Sequence, residues 1–293
     1  MTAIRPRRSA LYMPASNIRA LEKAKTLPAD AVIFDLEDAV APDMKESARE
    51  QACAAVAGGG YGPREVVIRI NALDTPWGEA DLAAVAAAGP DAVLVPKVSS
   101  VETLAAVGLR LRRLGVAERM QVWAMIETPL AILEARSIAS AAHDVDTRLA
   151  CFVMGTNDLA KDTRTRLAPG RAAMLPWLMT ALAAARASGI DILDGVHNGI
   201  DDAAGFREEC EQGRDCGFDG KTLIHPNQIA AANEIFAPSA EEVARARAII
   251  AAFERPENAG KGVISLDGRM VERLHAEMAK RVVALAEAIA QRR

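Results

Sequence analysis

Aromatic residues are scarce in this chain: 3 Trp, 2 Tyr and 6 Phe make up 4% of 293 residues. A core without them is built from Ala, Val, Leu and Ile, which suits helices packed on a parallel sheet. Histidine is also rare. His143, His197, His225 and His275 fall into no H-x-x-x-H or H-x-H spacing, so catalysis at a histidine-held zinc is not expected. Cys53, Cys151, Cys210 and Cys216 form no C-x-x-C pair and read as unpaired thiols in a reducing compartment. No apolar run reaches the roughly eighteen residues of a membrane span. Pro14, Ser16, Asn17 and Arg19 interrupt the start before a secretory leader forms, so a cytoplasmic location is expected. A surplus of positive charge is missing too: 35 Lys and Arg stand against 39 Asp and Glu, for a net charge of −4. That argues against nucleic acid as a partner but leaves room for a small anionic ligand. No strand is followed by G-x-G-x-x-G, and there is no P-loop.

What is present is 51% hydrophobic and 25% charged, the composition of a globular protein. Short β-branched runs alternate with Ala-rich helical stretches. The expected strands are Ser9–Pro14, Ala31–Leu36, Glu65–Ile70, Ala92–Pro96, Gln121–Ile126, Ala150–Met154, Ile190–Leu193 and Thr222–Ile224. Several are continuously apolar, as strands buried on both faces are. The expected helices between them are Asn17–Thr26, Lys45–Ala57, Glu79–Ala88, Val101–Leu114, Pro129–Ala142, Leu175–Ser188 and Asp202–Cys216. Eight such units point to an α/β fold, a (β/α)8 TIM barrel, in preference to an open doubly wound sheet. The barrel is placed at residues 1–237 and a C-terminal helical extension at 238–293. In that extension a helix at Ala240–Phe253 precedes a Gly-rich stretch and a last helix from about Met270 to Ala290, with a lid or arm at about 258–293.

Barrel enzymes build their sites at the carboxyl ends of the strands. Those ends carry Tyr12; Asp35, Glu37 and Asp38; Arg69 and Asn71; Lys97; Glu127; Asn157 and Asp158; Asp194, His197 and Asn198; His225 and Asn227. Glu127 and Asp158 end consecutive strands, and two hard carboxylates suit Mg²⁺ or Mn²⁺ with positions left for substrate and water. The competing reading has Glu127 capping the helix at Pro129 while Asp158 pairs with Lys161. Asp35, Glu37 and Asp38 either hold metal-bound water or orient basic groups of the site, or they close ion pairs with Arg69 or Lys97. Arg69 either grips a substrate carboxylate through its fork of donors or serves as counter-ion to Glu37. Lys97, among acids, stays protonated and reads as an ion-pair partner rather than a Schiff-base lysine. His225 either faces the site or is structural.

Several segments resemble the citrate lyase β-subunit family, which includes malyl-CoA and citramalyl-CoA lyases. They are Arg8-Ser-Ala-Leu-Tyr-Met-Pro, Phe34-Asp-Leu-Glu-Asp-Ala-Val-Ala-Pro42, Ile68-Arg-Ile-Asn-Ala-Leu-Asp-Thr-Pro76, Val95-Pro-Lys-Val, Ile126-Glu-Thr-Pro, Gly155-Thr-Asn-Asp-Leu, Gly220-Lys-Thr-Leu-Ile-His-Pro-Asn-Gln228 and Gly262-Val-Ile-Ser-Leu-Asp-Gly-Arg-Met-Val-Glu. The resemblance implies a TIM barrel with Mg²⁺ on Glu127 and Asp158. It implies Arg69 on the acid substrate, with Asn157 beside it, and coenzyme A lying across the barrel mouth near Tyr12, Arg19 and Lys23. It also implies a C-terminal lid over the site of a neighbouring protomer, in a homotrimer or a multiple of one. The family's lid aspartate is matched here by Glu272, a longer carboxylate. Pro14-Ala-Ser departs from the usual Pro-Gly-Ser of the first loop. The implied reaction is Mg²⁺-dependent cleavage, or formation, of a 3-hydroxyacyl-CoA such as citramalyl-CoA, which the resemblance favours, or malyl-CoA, giving acetyl-CoA and a small 2-oxo acid. Arg69, Glu37 and Asp38 would assist, and Glu272 would move the proton. The rival readings are thioester hydrolysis, a pyruvate-class aldolase without coenzyme A, and a subunit acting on an acyl-carrier-protein thioester.

Overall fold

The structure, a computed structural model, describes residues 4–292. Eight parallel strands close into a barrel in sequence order: β1 (Ser9–Pro14), β2 (Ala31–Asp35), β3 (Glu65–Arg69), β4 (Ala92–Val95), β5 (Gln121–Ile126), β6 (Leu149–Met154), β7 (Asp191–Asp194) and β8 (Gly220–Leu223). Closure is made by β1 on β8, with Ser9 opposite Lys221 and Leu11 opposite Leu223. Outside the strands run α1 (Ile18–Ala24), α2 (Lys45–Gly58), α3 (Gly78–Ala88), α4 (Val101–Arg113), α5 (Pro129–Leu133), α6 (Ala135–Ser140), α7 (Thr156–Thr163), α8 (Leu175–Ala187) and α9 (Ala203–Cys216). The (β/α)8 expectation holds. The single helix expected at Pro129–Ala142 is divided at Glu134.

The barrel interior follows the period of two that a strand imposes. Ala10, Ala31, Ile33, Val67, Ala92, Leu94, Trp123, Met125, Cys151, Val153 and Leu193 form one buried cluster with Tyr12 against it. The same parity carries downward to Glu65, Gln121 and Asp191 and upward to Asp35, Arg69 and Glu127. The lower set is bound by one side chain. Arg7 donates to Glu65 at 2.7 Å from both Nε and Nη2, to Asp191 at 2.7 Å and to Gln121 at 2.8 Å, and its guanidinium lies 4.9 Å from the Trp123 ring. Buried charges need such pairing.

The chain divides into two compact units, the barrel at Arg7–Asn233 and a second that includes everything from Glu234 on. Helix α10 (Ile229–Ile235) leads into the second unit, which holds α11 (Ala240–Glu254), the antiparallel pair β9 (Val263–Leu266) and β10 (Arg269–Glu272), and α12 (Arg273–Ala290). Ser239 opens α11 with a capping box to Glu242. Ala246, Ile249, Ala252, Ile264, Val271, Ala276 and Ala279 form this unit's own core. The hairpin is not among the expected elements, and the last helix starts at Arg273 rather than Met270. Its turn is Asp267-Gly268, both at positive φ (51° and 74°), the backbone of a tight two-residue hairpin. No helix among the described residues is long and apolar enough to cross a membrane. All four cysteines are unpaired.

Candidate active site

A cavity of about 320 Å³ opens at the carboxyl ends of the strands. Its polar lining includes Asp35, Asp38, Arg69, Glu127, Asn157 and Asp158, and Met125, Met154 and Val196 supply apolar walls. Three of the acids and bases arrive there by strand parity alone: Asp35 is two residues beyond Ile33, Arg69 two beyond Val67, and Glu127 two beyond Met125.

Arg69 is the most constrained of them. Its Nε and Nη2 each donate to Asp35 at 2.6 Å, a bidentate pair with both side chains buried. Asp35 is itself fixed, since its two oxygens accept the backbone N–H of Glu37 (2.9 Å) and Ala39 (3.0 Å). The remaining Nη1 lies 2.8 Å from Glu37 and 3.1 Å from Asp38. The Tyr12 ring stands 4.9 Å from the guanidinium carbon. Arg69 is thus counter-ion to three acids, Asp35 through Nε and Nη2, and Glu37 and Asp38 through Nη1.

The three acids around Arg69 differ in kind. Asp38 is 67% exposed. Glu37 is mostly buried, and burial pushes its carboxyl up to about 8, against the attraction of Arg69 and with help from Glu127 and Asp38. Burial likewise pushes the Tyr12 hydroxyl well above its usual range.

Glu127 is fully buried, and burial raises its carboxyl despite the attraction of Lys97. One oxygen accepts the Lys97 backbone N–H at 2.7 Å, while Oε2 has no hydrogen-bond partner. It caps no helix; Thr128 caps α5 through Ala131. Asp158, in the first turn of α7, lies 2.7 Å from Lys97 Nζ, with Lys161 at 3.8 Å. Lys97 Nζ is also 3.6 Å from Glu127, so one ammonium bridges the two carboxylates. Gly155 makes room for this arrangement, because a Cβ there would meet Glu127 Cβ and come within 2.6 Å of its Oε2.

The donor set fits a hard divalent cation. Two carboxylates meet at one rim, and the buried one keeps an unpartnered oxygen. Among the described residues no group of three His, Cys, Asp or Glu side chains is placed to hold a metal ion, so such an ion would take its other ligands from substrate and water.

The other expected residues divide between this cavity and places outside it. Asn157 lines the cavity, but its amide is engaged reciprocally with Asn198 at 3.1 and 2.8 Å. Arg19 and Lys23 are exposed on α1, and Tyr12 is grouped with Arg69. Asp194 belongs to a buried network with Arg171 and Lys221, each at 2.8 Å. His225 caps a single turn at Pro226–Gln228, a structural post. Glu272, in the second unit, ends β10, and its N–H donates to His275 Nδ1 at 2.9 Å. One residue of weight had no part in the sequence reading of the site: Gly155, whose signal is a glycine directly after an apolar strand.

The chain is similar to known proteins in sequence and fold. The sequence pattern of the HpcH/HpaI aldolase/citrate lyase family matches residues 8–226. The chain is 50% identical over 285 residues to a (3S)-malyl-CoA thioesterase of Cereibacter sphaeroides (strain ATCC 17023), covering 97% of this chain and 96% of that protein. It is 35% identical over 288 residues to citrate lyase subunit beta of Escherichia coli (strain K12), covering 97% and 94%. Among solved structures, CitE from Mycobacterium tuberculosis in complex with magnesium, acetoacetate and coenzyme A superposes with a TM-score of 0.78 at 30% identity, covering 98% of this chain and all of that one.

Proposed function

Because the chain belongs to the HpcH/HpaI aldolase/citrate lyase family and is an enzyme of the CoA-ester lyase type, we propose that it acts, with Mg²⁺, on a 3-hydroxyacyl-CoA of the malyl-CoA class. The reaction proposed is scission of the carbon–carbon bond between the carbinol and the methylene carbon. Malyl-CoA would give glyoxylate and acetyl-CoA, with the hydroxyl proton leaving and one proton arriving at the acetyl carbon. The observation that carries this reading is the pairing of Arg69, held by Asp35, with the Glu127–Asp158 carboxylates across one small cavity.

A divalent ion held by Glu127 and Asp158 would supply Lewis acidity toward the hydroxyl and carboxylate oxygens of the acyl end. Arg69 Nη1 would receive the acid or the negative charge that builds on the thioester oxygen, in a place where its charge is already fixed. Asp35 would hold the guanidinium plane so that little reorganisation is needed. Met125, Met154 and Val196 would keep water from the reacting bond. Glu37, protonated below about pH 8, would leave Arg69 free to meet an anion, and Asp38 would add a rim charge. We assign proton transfer at the acetyl carbon to Glu272, acting in the site of a second copy of the chain. Arg19 and Lys23 are assigned to coenzyme A phosphates as exposed cations. Self-association as a trimer is proposed too; Met270, Leu274 and Met278 are 69%, 53% and 63% exposed on the second unit. Four unpaired thiols favour a cytoplasmic setting.

Hydrolysis is the second reading, favoured by the 50% identity to malyl-CoA thioesterases over nearly the whole chain. Water would add to the thioester carbonyl and the CoA thiol would leave, yielding malate. The same substrate separates the two. With (3S)-malyl-CoA and Mg²⁺, cleavage gives glyoxylate and no free thiol, whereas hydrolysis gives free thiol and malate. Glu127→Gln should remove either activity while the circular dichroism spectrum is unchanged. Full activity in that variant would sink the metal assignment.

A further inference from the structure

Lys97 is held in an uncommon way. Its backbone is left-handed, with φ of 53°, where a side-chain-bearing residue is strained. That conformation turns its N–H onto Glu127 Oε1 at 2.7 Å. Its ammonium then reaches over the same carboxylate, at 3.6 Å, to Asp158 Oδ1 at 2.7 Å. One residue therefore supplies a fixed dipole to one carboxylate and a movable charge to both. The side chain is 36% exposed, so the stem has a route outward that the buried Glu127 lacks.

Resting on the metal site proposed above, we infer that Lys97 is the resident counter-ion of that site. Its ammonium offsets half the charge of the Glu127–Asp158 pair when no divalent ion is held and swings to solvent when one is. Two carboxylates with the ammonium carry one net negative charge; with a divalent ion and the ammonium still between them they would carry a positive one. Like charges at such separations repel strongly in a partly buried setting. The ion must therefore displace the ammonium, and its affinity is set below what the carboxylates alone would provide. The backbone donor stays in place throughout, so Glu127 is positioned identically in both states. Lys97 is on this account a positioning residue, and the exchange keeps two acids at the rim from repelling each other in the empty site.

The test uses Mn²⁺ as the probe at fixed pH 7.5, with the free ion counted by electron paramagnetic resonance. Lys97→Met should bind Mn²⁺ at least tenfold more tightly than the wild type. Its metal-free form should melt lower, and saturation should raise its melting temperature by more than it raises the wild type's. Lys97→Arg, which keeps a charge, should bind within a few-fold of the wild type. A second readout needs no variant: acetylation of Lys97 by an amine-reactive reagent, followed by mass spectrometry, should speed up when Mn²⁺ is saturating. Equal or weaker Mn²⁺ binding in Lys97→Met, or slower acetylation with Mn²⁺, would overturn the counter-ion role alone. Absence of Mn²⁺ binding in both proteins would overturn the metal site itself and the proposal with it.

Discussion

The three acids around Arg69 offer a test in which one cation is probed from three sides. Asp35→Asn removes one charge from a buried bidentate pair and keeps the shape of the side chain. Breaking a buried ion pair from one side costs about 3–5 kcal/mol, because a buried charge is left behind. Glu37 and Asp38 remain beside Nη1 and an amide oxygen still accepts one bond, so a loss of about 2–4 kcal/mol is expected. Asp38→Asn should cost under about 1 kcal/mol, since that carboxylate is two-thirds exposed.

Glu37→Gln should act in the opposite direction. The Glu37 carboxyl titrates near 8 in the folded protein against an ordinary 4.5. Below about pH 4.5 both states hold the proton. Between 4.5 and 8 the unfolded chain releases it and the folded one keeps it, so stability falls as pH rises. Above about 8 both are ionised and the penalty is complete. Glutamine stands in for the protonated acid without paying that penalty. Glu37→Gln should therefore match the wild type near pH 4.5 and exceed it by on the order of 2–4 kcal/mol at pH 9. Equilibrium urea denaturation at pH 4.5, 7 and 9 measures all three variants. If Glu37→Gln loses stability at pH 7 as Asp35→Asn does, then Glu37 is an ionised anchor of Arg69, and the division of labour drawn here is wrong.

Gly155→Ala places a methyl against Glu127 and should cost about 1–3 kcal/mol by overpacking, with a larger loss of Mn²⁺ affinity than of melting temperature; a variant as active and as tight for Mn²⁺ as the wild type would remove Gly155 from the site. Glu272→Gln should lower turnover of malyl-CoA at least tenfold with little change in KM. An unchanged kcat would take the proton-transfer role away from Glu272.

The barrel was legible because continuous apolar runs such as Ala31-Val-Ile-Phe recur between helical stretches, and strands buried on both faces have that form. The same continuity hid which residues point inward. Parity is visible only where a charge interrupts it, and Asp35, Arg69 and Glu127 extend the inward positions of Ile33, Val67 and Met125. Reading upward from those positions selects Asp35, of the three acids in its loop, as the one that points inward with Arg69. The hairpin β9–β10 escaped for a different reason. Gly260 and Gly262 made the segment read as a Gly-rich connection, although Asp267-Gly268 between two short β-prone runs is a strong turn signal. The split of the fifth helix was not legible, since Glu134 is an ordinary helix former. Lys97 was legible as an ion-pair partner but not as a bridge. Its reach depends on a positive φ that its neighbours Pro96 and Val98 do not announce.

The Arg7 clasp bears on how the chain is made. Arg7 is made before all of its partners, which lie 58, 114 and 184 residues further on, and β1 cannot meet β8 until residues near Lys221 have been added. At about 5–20 residues per second the first strand waits on the order of 10–40 s with one edge unpaired. A nascent chain halted before β7 would hold an arginine with one carboxylate and an open sheet, the condition in which strands pair with strangers. The bottom of the barrel is thus a timing device as well as a floor: the ring seals only when nearly all of it has been written.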